Sequence, residues 1–571
     1  MSGPGDRATK RPSKWEADAV NGAAGHGTPP KNGRGVGCFH RGPRVRQAQK
    51  PFARKLGDLE GASYSMVECR QSGEGSEPQA LMAHTFEKSD AVVVPRKSAK
   101  TRVTPVESME GRTKAKGIPA GRNAPPTQSG TRAPTDLQRV GQRAQRRPTE
   151  KWTNLLCHIR VPLLQEAYAS LRKAAAPGVD GVDWETYGEH LGERLTNLCD
   201  RIHRGVYHPQ PARRVEIPKG DGKTRPLGIP ALEDKIVQQA VRWVLEPIYE
   251  AMFAGFSYGF RPNRSAHDAL DALATAIYRR VNWLLDADIR SFFDTIDHGW
   301  MQRFVEHRIG DRRLVHLLMK WMKAGVMKDG ALRAVTAGTP QGGIISPLLA
   351  NIYLHYALDL WVDHWRKTHA REAVYLVRYA DDFVVGLESD QDARDLRRSL
   401  EDRLTRFGLE LHPDKTRVIQ FGRFARVDRE RRGLPRPETF EFLGFLHIAA
   451  RDRQGRFQLR RHTSRRKMQA KLARIKVDCK RRRHTSVATQ HAWLKSVLVG
   501  HDNYYAVPGN TAPLRRFHAS VEWTWHRSLQ RRSQRGGWNE TQRRRFRERF
   551  PLPTPRILHP WPTERFHARF N

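Results

Sequence analysis

Two adjacent carboxylates lie inside an otherwise apolar stretch of the chain. Residues 379–382 read YADD, so Asp381 and Asp382 follow the apolar run 374–378 and precede a second one at 383–386. This pattern predicts a strand, a tight turn and a second strand. Neighbouring aspartates at a hairpin tip repel one another unless cations neutralise them, and hard divalent ions prefer oxygen ligands. The pair therefore predicts a divalent metal site.

A third carboxylate upstream strengthens this prediction. In the strand-like run 283–289, Asp286 and Asp288 fall on one face, with apolar side chains on the other. If the fold brings Asp288 to the YADD pair, the three can hold two Mg²⁺ ions. One ion would lower the pKa of an attacking 3′-hydroxyl, and the other would stabilise a leaving pyrophosphate. The alternative is that Asp288 caps a helix beginning at Ser291 and the pair only forms a turn.

The composition indicates a polyanionic partner. The 571 residues include 101 Lys and Arg against 60 Asp and Glu, giving a formal net charge of +41. This imbalance favours nucleic acid as the partner, ahead of an anionic membrane surface. No apolar run reaches the roughly 18 residues of a membrane span, and the N-terminus lacks the apolar core of a signal peptide. We expect no membrane partner and a soluble cytoplasmic protein, nucleoid-associated when bound to DNA.

The chain divides into three parts by composition. Residues 1–145 are basic and rich in Gly, Pro and Ser, so we expect a disordered extension. A solvated linker is favoured for this segment over a tail that binds RNA. From about residue 150 the pattern is globular, and beyond 448 it is basic and helical. Helical periodicity occurs at 184–205, 232–252, 265–280 and 298–325. Strand-like runs occur at 214–218, 283–289, 374–378 and 383–387. Non-repeating strands among helices predict an α+β fold.

Two motifs carry a family resemblance. The YADD sequence resembles the YxDD box of reverse transcriptases, and residues 288–298, DIRSFFDTIDH, resemble the first catalytic motif of the group II intron-encoded members. Further blocks similar to this reverse transcriptase/maturase family follow in the family's order, from about 164 to 560. The resemblance implies a right-hand polymerase. Its fingers and palm, with an RRM-like antiparallel sheet, would span 150–448, and an α-helical thumb and maturase region would span 449–571.

The resemblance also implies roles at the catalytic centre. Asp288, Asp381 and Asp382 would be the catalytic metal ligands, joined by the backbone carbonyl of Ile289, with Mg²⁺ as the cofactor. Lys415, in a block resembling the family's fourth motif, would protonate the departing pyrophosphate. A plain surface lysine is the alternative for Lys415.

Other residues are candidates for binding the incoming nucleotide. Lys219 and Arg225 lie in a Gly-rich basic hairpin that could close over a triphosphate, or could simply be solvated. Gln341, in the sequence PQGG, resembles the family glutamine that contacts nucleotide and template. Of Phe292 and Phe293, one could crowd a ribose 2′-hydroxyl and one belongs to the core, and the spacing does not decide which.

Nucleic-acid contacts are expected in two regions. Arg261 and Arg264 could meet template phosphate or, with equal weight, pair with acidic residues inside the domain. Arg531 and Arg532 belong to a block that resembles the maturase region, where cations alternate with aromatic residues. Basic faces and exposed rings there would bind RNA phosphates and unpaired bases.

The predicted activity is RNA-directed DNA polymerisation, a nucleotidyl transfer that uses dNTPs on an RNA/DNA primer–template. The predicted partners are group II intron RNA, which the chain would help to splice, and the target DNA at which the intron RNA is copied into cDNA. One alternative is a splicing maturase in which polymerisation is secondary. Another is a domesticated, defence-associated reverse transcriptase. We expect no HNH endonuclease, because the sequence ends at Asn571.

Overall fold

The computed structural model describes residues 135–218, 224–328, 331–333, 337–339, 342–532 and 537–565. The segment 1–145 is therefore described only at its C-terminal end, and there the expectation of disorder is wrong. Residues Thr135–Arg146 form a helix in which Leu137, Val140 and Ala144 are buried. Because these residues recur at helical spacing, they form one apolar stripe, which packs against the helix Leu232–Glu250. The folded part begins before residue 145.

Helices and strands follow one another without a repeat, as predicted. In the N-terminal part they are α1 (Thr135–Arg146), a 3₁₀ turn (Leu155–His158), α2 (Val161–Ser170), α3 (Trp184–Gly188), α4 (Leu191–His203), β1 (Ala212–Pro218), β2 (Thr224–Ile229), α5 (Leu232–Glu250), α6 (Ala266–Arg279), β3 (Trp283–Asp288), α7 (Phe292–Thr295), α8 (His298–Arg308), α9 (Arg312–Lys323), β4 (Val326–Lys328) and β5 (Ala331–Arg333). In the C-terminal part they are α10 (Ser346–Leu354), a π turn (His355–Asp359), α11 (Leu360–Thr368), β6 (Val374–Tyr379), β7 (Asp382–Leu387), α12 (Asp390–Thr405), β8 (Arg417–Gln420), α13 (Ala425–Arg431), β9 (Phe440–Phe442), β10 (Phe445–Arg451), β11 (Phe457–Thr463), α14 (Arg465–Arg481), α15 (Val487–Tyr505), α16 (Thr511–Gln530), α17 (Glu540–Arg549) and α18 (Pro562–Arg565). Within the part that the structure describes, no helix is long and apolar enough to cross a membrane.

The helix predicted over 298–325 is two helices, α8 and α9. The side chain of Asp311 accepts hydrogen bonds from the backbone amides of Arg313 and Leu314, at 3.1 and 3.4 Å. It also accepts one from the amide of Leu156 at 2.9 Å. An N-cap carboxylate satisfies the free amides of a new helix. Asp311 therefore starts α9 where one continuous helix was expected.

The first sheet has the strand order β2-β1-β4-β5. Strands β1 and β2 pair antiparallel from Arg213↔Ile229 to Pro218↔Thr224, which confirms the strand predicted at 214–218. Strand β4 joins β1 in parallel, and β5 returns antiparallel to β4.

The second sheet has the order β6-β7-β3-β8, with every neighbouring pair antiparallel. It contains the strands predicted at 283–289, 374–378 and 383–387. On one face, Leu285 and Ala287 of β3 enter the larger hydrophobic core, whereas Leu284 enters a second core beneath α6. Asp286 and Asp288 continue the Leu284 face and keep partial exposure. That face therefore opens to solvent at the C-terminal end of β3.

The third sheet, β11-β10-β9, is antiparallel and lies between the second core and the C-terminal helices. The expected helical region 449–571 therefore begins with strand residues, and its first helix starts at Arg465. Helices α14 to α17 pack around a core of their own, in which Cys479, Leu494, Phe517 and Trp525 are buried.

Candidate active site

Strands β3 and β7 bring two of the candidate carboxylates opposite one another. Asp288 pairs with Asp382 in the antiparallel register, so both side chains lie on the same face of the sheet. Cross-strand partners have Cβ atoms about 4.5–5.5 Å apart. Asp381 comes immediately before Asp382, in the turn that joins β6 to β7. The fold therefore gathers Asp288, Asp381 and Asp382 at the open end of β3.

The three carboxylates repel one another. Lost hydration and then repulsion from Asp381 and Asp288 raise the pKa of Asp382 to about 6, although its side chain keeps contact with solvent. The ammonium groups of Lys467 and Lys415 act in the opposite direction on this pKa. A divalent cation stabilises carboxylate oxygens that carry like charges and repel one another. The donor set fits Mg²⁺.

The loop 408–416 extends the sheet beyond β3 and orients a further oxygen. Backbone hydrogen bonds of 2.8 and 2.9 Å flank a bridge between Ile289 and Leu411. In this antiparallel pattern, the carbonyl group of Ile289 points away from Leu411 and toward the β7 side. A neutral oxygen is thereby directed toward the side of the sheet that carries Asp382.

Lys415 closes the same loop with its ammonium group in contact with Asp288. Both side chains are partly exposed, so solvent and ligands can reach the pair. Among the described residues, no three His, Cys, Asp or Glu side chains form a ready-made metal cluster. In this state of the chain, an ammonium group is the counter-ion of Asp288.

A buried arginine lies beneath the turn that carries Asp381. The guanidinium of Arg378 binds Asp359 through two hydrogen bonds of 2.7 and 2.5 Å, and both side chains are fully buried. Its third nitrogen donates to the Asn351 side chain and to the Ala380 carbonyl, each at 3.0 Å. These bonds fix the turn from below, because bidentate charged hydrogen bonds constrain direction as well as distance.

The turn itself holds an unusual backbone conformation. Ala380 has φ +59°, a left-handed conformation that costs a residue with a Cβ about 1–2 kcal/mol. Gly259 packs directly against it, since a Cβ at position 259 would lie 2.3 Å from the Ala380 nitrogen. The side-chain amide of Asn351 donates to the Gly259 carbonyl at 2.8 Å. This bond joins the contact at Gly259 to the hydrogen bonds of Arg378. The turn is therefore held from two sides.

Asp286, the other carboxylate on this face, has its own partner. Its side chain lies 3.5 Å from Arg417 of β8. Burial raises the pKa of Asp286 to about 6, and the attraction of Arg417 offsets part of that increase. Asp286 accordingly has Arg417 as its counter-ion and lies two residues before Asp288 on the same face of β3.

The two phenylalanines after β3 have different surroundings. Phe292 is 2% exposed and meets the ring of Tyr353 edge-on, inside the larger core. Phe293 is half-buried, and its carbonyl accepts a hydrogen bond from the amide of Thr339 at 2.8 Å. Phe292 is therefore a core residue, and Phe293 packs partly against the same core, with its backbone bonded to the loop at Thr339.

That loop is anchored on both sides of Gln341. Before it, the amide of Gly338 donates to the Ile296 carbonyl at 2.8 Å. After it, the side chain of Gln238 accepts from the amide of Ile344 at 2.8 Å. Gln341 itself lies outside the described residues, as does Lys219, and the side chain of Arg225 is not described although its backbone belongs to β2.

Comparison with known proteins identifies the family. Residues 217–447 match the family described as "Reverse transcriptase (RNA-dependent DNA polymerase)". The chain is 38% identical to "Protein YkfC" of Escherichia coli (strain K12) over 324 residues, which are 51% of this chain and 80% of that protein. It is 37% identical to "Group II intron-encoded protein LtrA" of Lactococcus lactis subsp. cremoris over 239 residues, 42% of this chain and 40% of LtrA. It is 26% identical to "Nuclear intron maturase 3, mitochondrial" of Arabidopsis thaliana over 28% of this chain and 23% of that protein.

The chain belongs to the group II intron reverse transcriptase/maturase family. The region that matches the reverse transcriptase family contains β3, the YADD hairpin and the loop with Lys415. The chain spans less than half the length of LtrA and of the plant maturase.

Arg261 and Arg264, two predicted nucleic-acid contacts of this reverse transcriptase/maturase, have partners inside the fold. Arg261 is 4% exposed, and its guanidinium binds both oxygens of Glu250, at 2.9 and 3.0 Å, and the carbonyl of Ala254. Arg264 is half-buried, donates to the Gly255 carbonyl and lies 5.4 Å over the Tyr258 ring. Arg261 therefore pairs with an acidic residue inside the domain, the alternative considered for it. Arg264 bonds to a backbone carbonyl, and its contact with template phosphate stays a prediction.

Arg531 and Arg532 remain available at the end of α16. Both are exposed, and Arg532 also donates to the backbone carbonyl of Thr485 at 2.5 Å. They lie far along the chain from the residues that match the reverse transcriptase family.

Two residues near the site escaped the sequence analysis. Arg378 precedes YADD on a buried strand, and an arginine inside an apolar run is a signal of a buried partner. Lys467 of α14 belongs to another element, and no motif marked it. A side chain built at Gly444, in the turn between β9 and β10, would come within 3.3 Å of the Lys467 ammonium. Only the fold brings this lysine near Asp382.

Proposed function

We propose that this chain copies RNA into DNA at the centre formed by Asp288, Asp381 and Asp382. The pairing of Asp288 with Asp382 across β3 and β7, with Asp381 in the adjoining turn, carries the proposal. Clustered hard oxygen donors that keep access to solvent suit metal-assisted nucleotidyl transfer. The chain also binds group II intron RNA to assist its splicing, and supports intron mobility by copying that RNA at a DNA target.

We assign the three sheets to the parts of a right-handed polymerase. The first sheet with helices α1 to α5 would form the fingers, and the second sheet would form an RRM-like palm. The third sheet and helices α14 to α17 would form the thumb and maturase region. The separate hydrophobic core of those helices supports this division, because an independent core permits movement against the palm.

The catalytic residues divide the work by charge. Asp288, Asp381, Asp382 and the Ile289 carbonyl would hold Mg²⁺, which when bound activates a primer 3′-hydroxyl and stabilises the leaving pyrophosphate. Lys415 carries a proton within reach of Asp288 and would donate it to the departing pyrophosphate oxygen. The buried Arg378 positions the turn and touches no substrate.

The nucleotide would enter between the first sheet and Phe293. Lys219 and Arg225 would bind its triphosphate, and Gln341 would contact the base pair. Phe293 would exclude a ribose 2′-hydroxyl, because Phe292 is buried in the core whereas Phe293 keeps partial exposure. A dNTP is thus the expected substrate.

The C-terminal helices would bind the RNA partner. Exposed cations on α14 and α17 include Arg474, Lys476, Lys480, Arg544 and Arg545. With Arg531 and Arg532, they form a basic surface suited to RNA phosphates and to the target DNA. Such partners place the protein in the cytoplasm and at the nucleoid.

The direct test is primer extension on an RNA template, with and without Mg²⁺. The wild-type chain should extend the primer only with Mg²⁺, and Asp381→Ala should lose at least about 100-fold in rate, because one metal ligand is gone. Asp200→Ala, an exposed carboxylate on α4, is the control and should extend normally. Full extension by Asp381→Ala would contradict the assignment.

Splicing should separate from polymerisation in the same variants. Asp381→Ala should still bind a group II intron transcript and promote its splicing, since the basic C-terminal helices are unchanged. Loss of splicing together with full polymerisation in that variant would contradict the catalytic role of Asp381.

A further inference from the structure

A second cleft, with a volume of about 900 Å³, lies outside the catalytic centre. Its walls are the segment around Thr153, the loop at His208 and the facing sides of α8 and α9. None of the residues that line it belongs to β3, β6 or β7, which carry the catalytic carboxylates. We call it the α9 cleft.

The charge of the α9 cleft is strongly one-sided. Arg312, His316, Lys320 and Lys323 recur at helical spacing and so share one side of α9, and Lys151 faces them from the opposite wall. The acidic residue among the lining side chains is Glu306, which accepts a hydrogen bond from Gln302 at 2.7 Å.

Three of these cations are not neutralised by the protein. Lys151, Arg312 and Lys323 are exposed, and no carboxylate of the described residues forms an ion pair with them. Lys320 is different, since its ammonium donates to the carbonyls of Gly205 and Tyr207 at 2.9 and 2.8 Å. Lys320 thus fixes one wall of the cleft. The charged groups of Lys151, Arg312 and Lys323 remain exposed to solvent.

Exposed arginines on α12, by contrast, are compensated. On α12, Arg394 pairs with Asp390, Arg397 with Glu401, and Arg398 with Asp395. These pairs follow the spacing that places opposite charges side by side on a helix. Lys151, Arg312 and Lys323 thus differ from the arginines of α12 in having no carboxylate partner among the described residues.

The walls of the cleft are preformed. The amide of Trp152 donates to the Arg308 carbonyl at 2.8 Å, and the amide of Gly310 donates to the Trp152 carbonyl at 2.6 Å. The Asp311 carboxylate, at the start of α9, accepts from the amide of Leu156 in the wall segment. Because the cations are mounted on elements bonded to each other, little ordering is needed when a ligand binds.

We propose that the α9 cleft binds the phosphodiester backbone of a folded RNA, away from the catalytic carboxylates. The inference rests on the proposed function, in which the chain holds an intron RNA while it copies RNA. From Arg312 to Lys323 the helix rises about 16 Å, enough to follow several successive phosphates of one strand. A polyanion would supply the counter-charges that the protein omits.

The test compares two doubly substituted chains that lose equal charge. Arg312→Gln/Lys323→Gln removes uncompensated cations, and Arg397→Gln/Arg398→Gln removes compensated ones. The dissociation constant for a group II intron transcript is measured over a range of salt concentrations, and primer extension on a short primer–template is measured in parallel. Unfolding by urea checks that both variants fold.

We expect the α9 variant to bind the transcript roughly ten-fold more weakly at low salt, with a salt dependence reduced by about 1.4–1.8 in log–log slope, because two phosphate contacts are lost. Its primer extension should equal that of the wild type. The α12 variant should match the wild type in both measurements. Duplex DNA of equal length should bind without sensitivity to the α9 substitutions.

Several results would overturn the inference. These are an unchanged affinity in the α9 variant, an equal loss in the α12 variant, an equal effect on duplex DNA, and a parallel loss of primer extension. If the wild type extends primers and the α9 variant binds RNA normally, only the cleft assignment fails. If the wild type extends no primer but loses RNA affinity through the α9 substitutions, the polymerase proposal fails and the cleft assignment stands.

Discussion

Arg378 and Asp359 form a fully buried ion pair beneath the catalytic turn. The same guanidinium holds the carbonyl of Ala380, the residue immediately before Asp381. A charge with no access to water is tolerated because each hydrogen-bonding direction is used inside the protein. The pair therefore couples the stability of the core to the position of the proposed metal ligands.

Removing one member of this pair should be costly. We expect Arg378→Met to lower the free energy of unfolding by about 3–5 kcal/mol, because Asp359 would be left buried and unpaired. Urea denaturation measures the change. The control is Arg394→Met, which breaks the exposed pair with Asp390 and should cost less than about 1 kcal/mol. An equally small loss for Arg378→Met would show that the buried pair is dispensable.

The raised pKa of Asp382 predicts a pH-dependent stability. An unfolded aspartate titrates near about 3.9, whereas in the fold the pKa is about 6, owing to lost hydration and to repulsion from Asp381 and Asp288. Between these values the folded chain binds more protons, so the free energy of unfolding falls as pH rises. In metal-free buffer, Asp382→Asn should stabilise the chain at about pH 7.5 and change little near about pH 4. Stabilisation of equal size at both pH values would exclude this cause.

Mg²⁺ should reverse that destabilisation in the wild type. Since a ligand that binds only the folded state stabilises it, Mg²⁺ should raise the melting temperature of the wild type more than that of Asp382→Asn. Asp286→Asn is the matched control, because Asp286 also has a pKa raised to about 6 but pairs with Arg417. It should keep the full Mg²⁺ response. Loss of that response in Asp286→Asn would indicate that the ion binds at Asp286 instead of Asp382.

Phe292 and Phe293 should differ in what their loss affects. Phe293→Val should increase incorporation of ribonucleotides relative to deoxyribonucleotides while stability changes little, because the Phe293 ring is only half-buried. Phe292→Ala should instead lower the free energy of unfolding by about 3–5 kcal/mol, as expected for a buried aromatic residue. Competition between ATP and dATP in primer extension measures selectivity. Unchanged selectivity in Phe293→Val would remove this residue from the sugar-recognition role.

Gly259 should tolerate no side chain. In Gly259→Ala the new Cβ would lie 2.3 Å from the Ala380 nitrogen, so the turn must shift, at about 1–3 kcal/mol in stability and with a loss of primer extension. Gly500→Ala provides the contrast, since position 500 is exposed on α15 with no atom near its Cβ. That change should stabilise the helix by about 0.5–1 kcal/mol. Normal activity of Gly259→Ala would mean that the turn is adaptable.

Lys467 should contribute to primer binding. Its ammonium lies beside Gly444 and acts on Asp382, so it borders the path a primer would take to the carboxylates. Lys467→Gln should weaken binding of a short primer–template several-fold and reduce the salt slope by about 0.7–0.9, leaving the KM for dNTP unchanged. Lys476→Gln, an equal loss of charge further along α14, should have a smaller effect. Equal effects would indicate nonspecific attraction.

The regular elements around the site were predictable because their signals are local. Alternation in β3 and the apolar runs of β6 and β7 predicted these strands. The break at Asp311 was not foreseen, because its carboxylate acts on Leu156, far away in sequence. Residues 135–145 were expected to be disordered for a related reason. Their apolar stripe is buried only by packing against α5, which is distant in the sequence.

Within the site, residue types were predictable and partners were not. Arg261 and an exposed phosphate-binding arginine look alike in a sequence, and only the position of Glu250 distinguishes them. Phe292 and Phe293 are adjacent and identical, so their roles depend on which one meets Tyr353. The support under YADD joins residues from three separate elements, Arg378, Asp359 and Asn351, and no spacing rule connects these elements.

The contact between Lys415 and Asp288 gives the resting centre an internal counter-ion. A divalent ion held by Asp288 would take the place of the Lys415 ammonium, so its uptake would be an exchange of one cation for another. Lys415 would then be available to an incoming triphosphate. Metal binding and release of the Lys415 proton donor would thus occur together. The proton donor would then become available only when the metal that accompanies the substrate is bound.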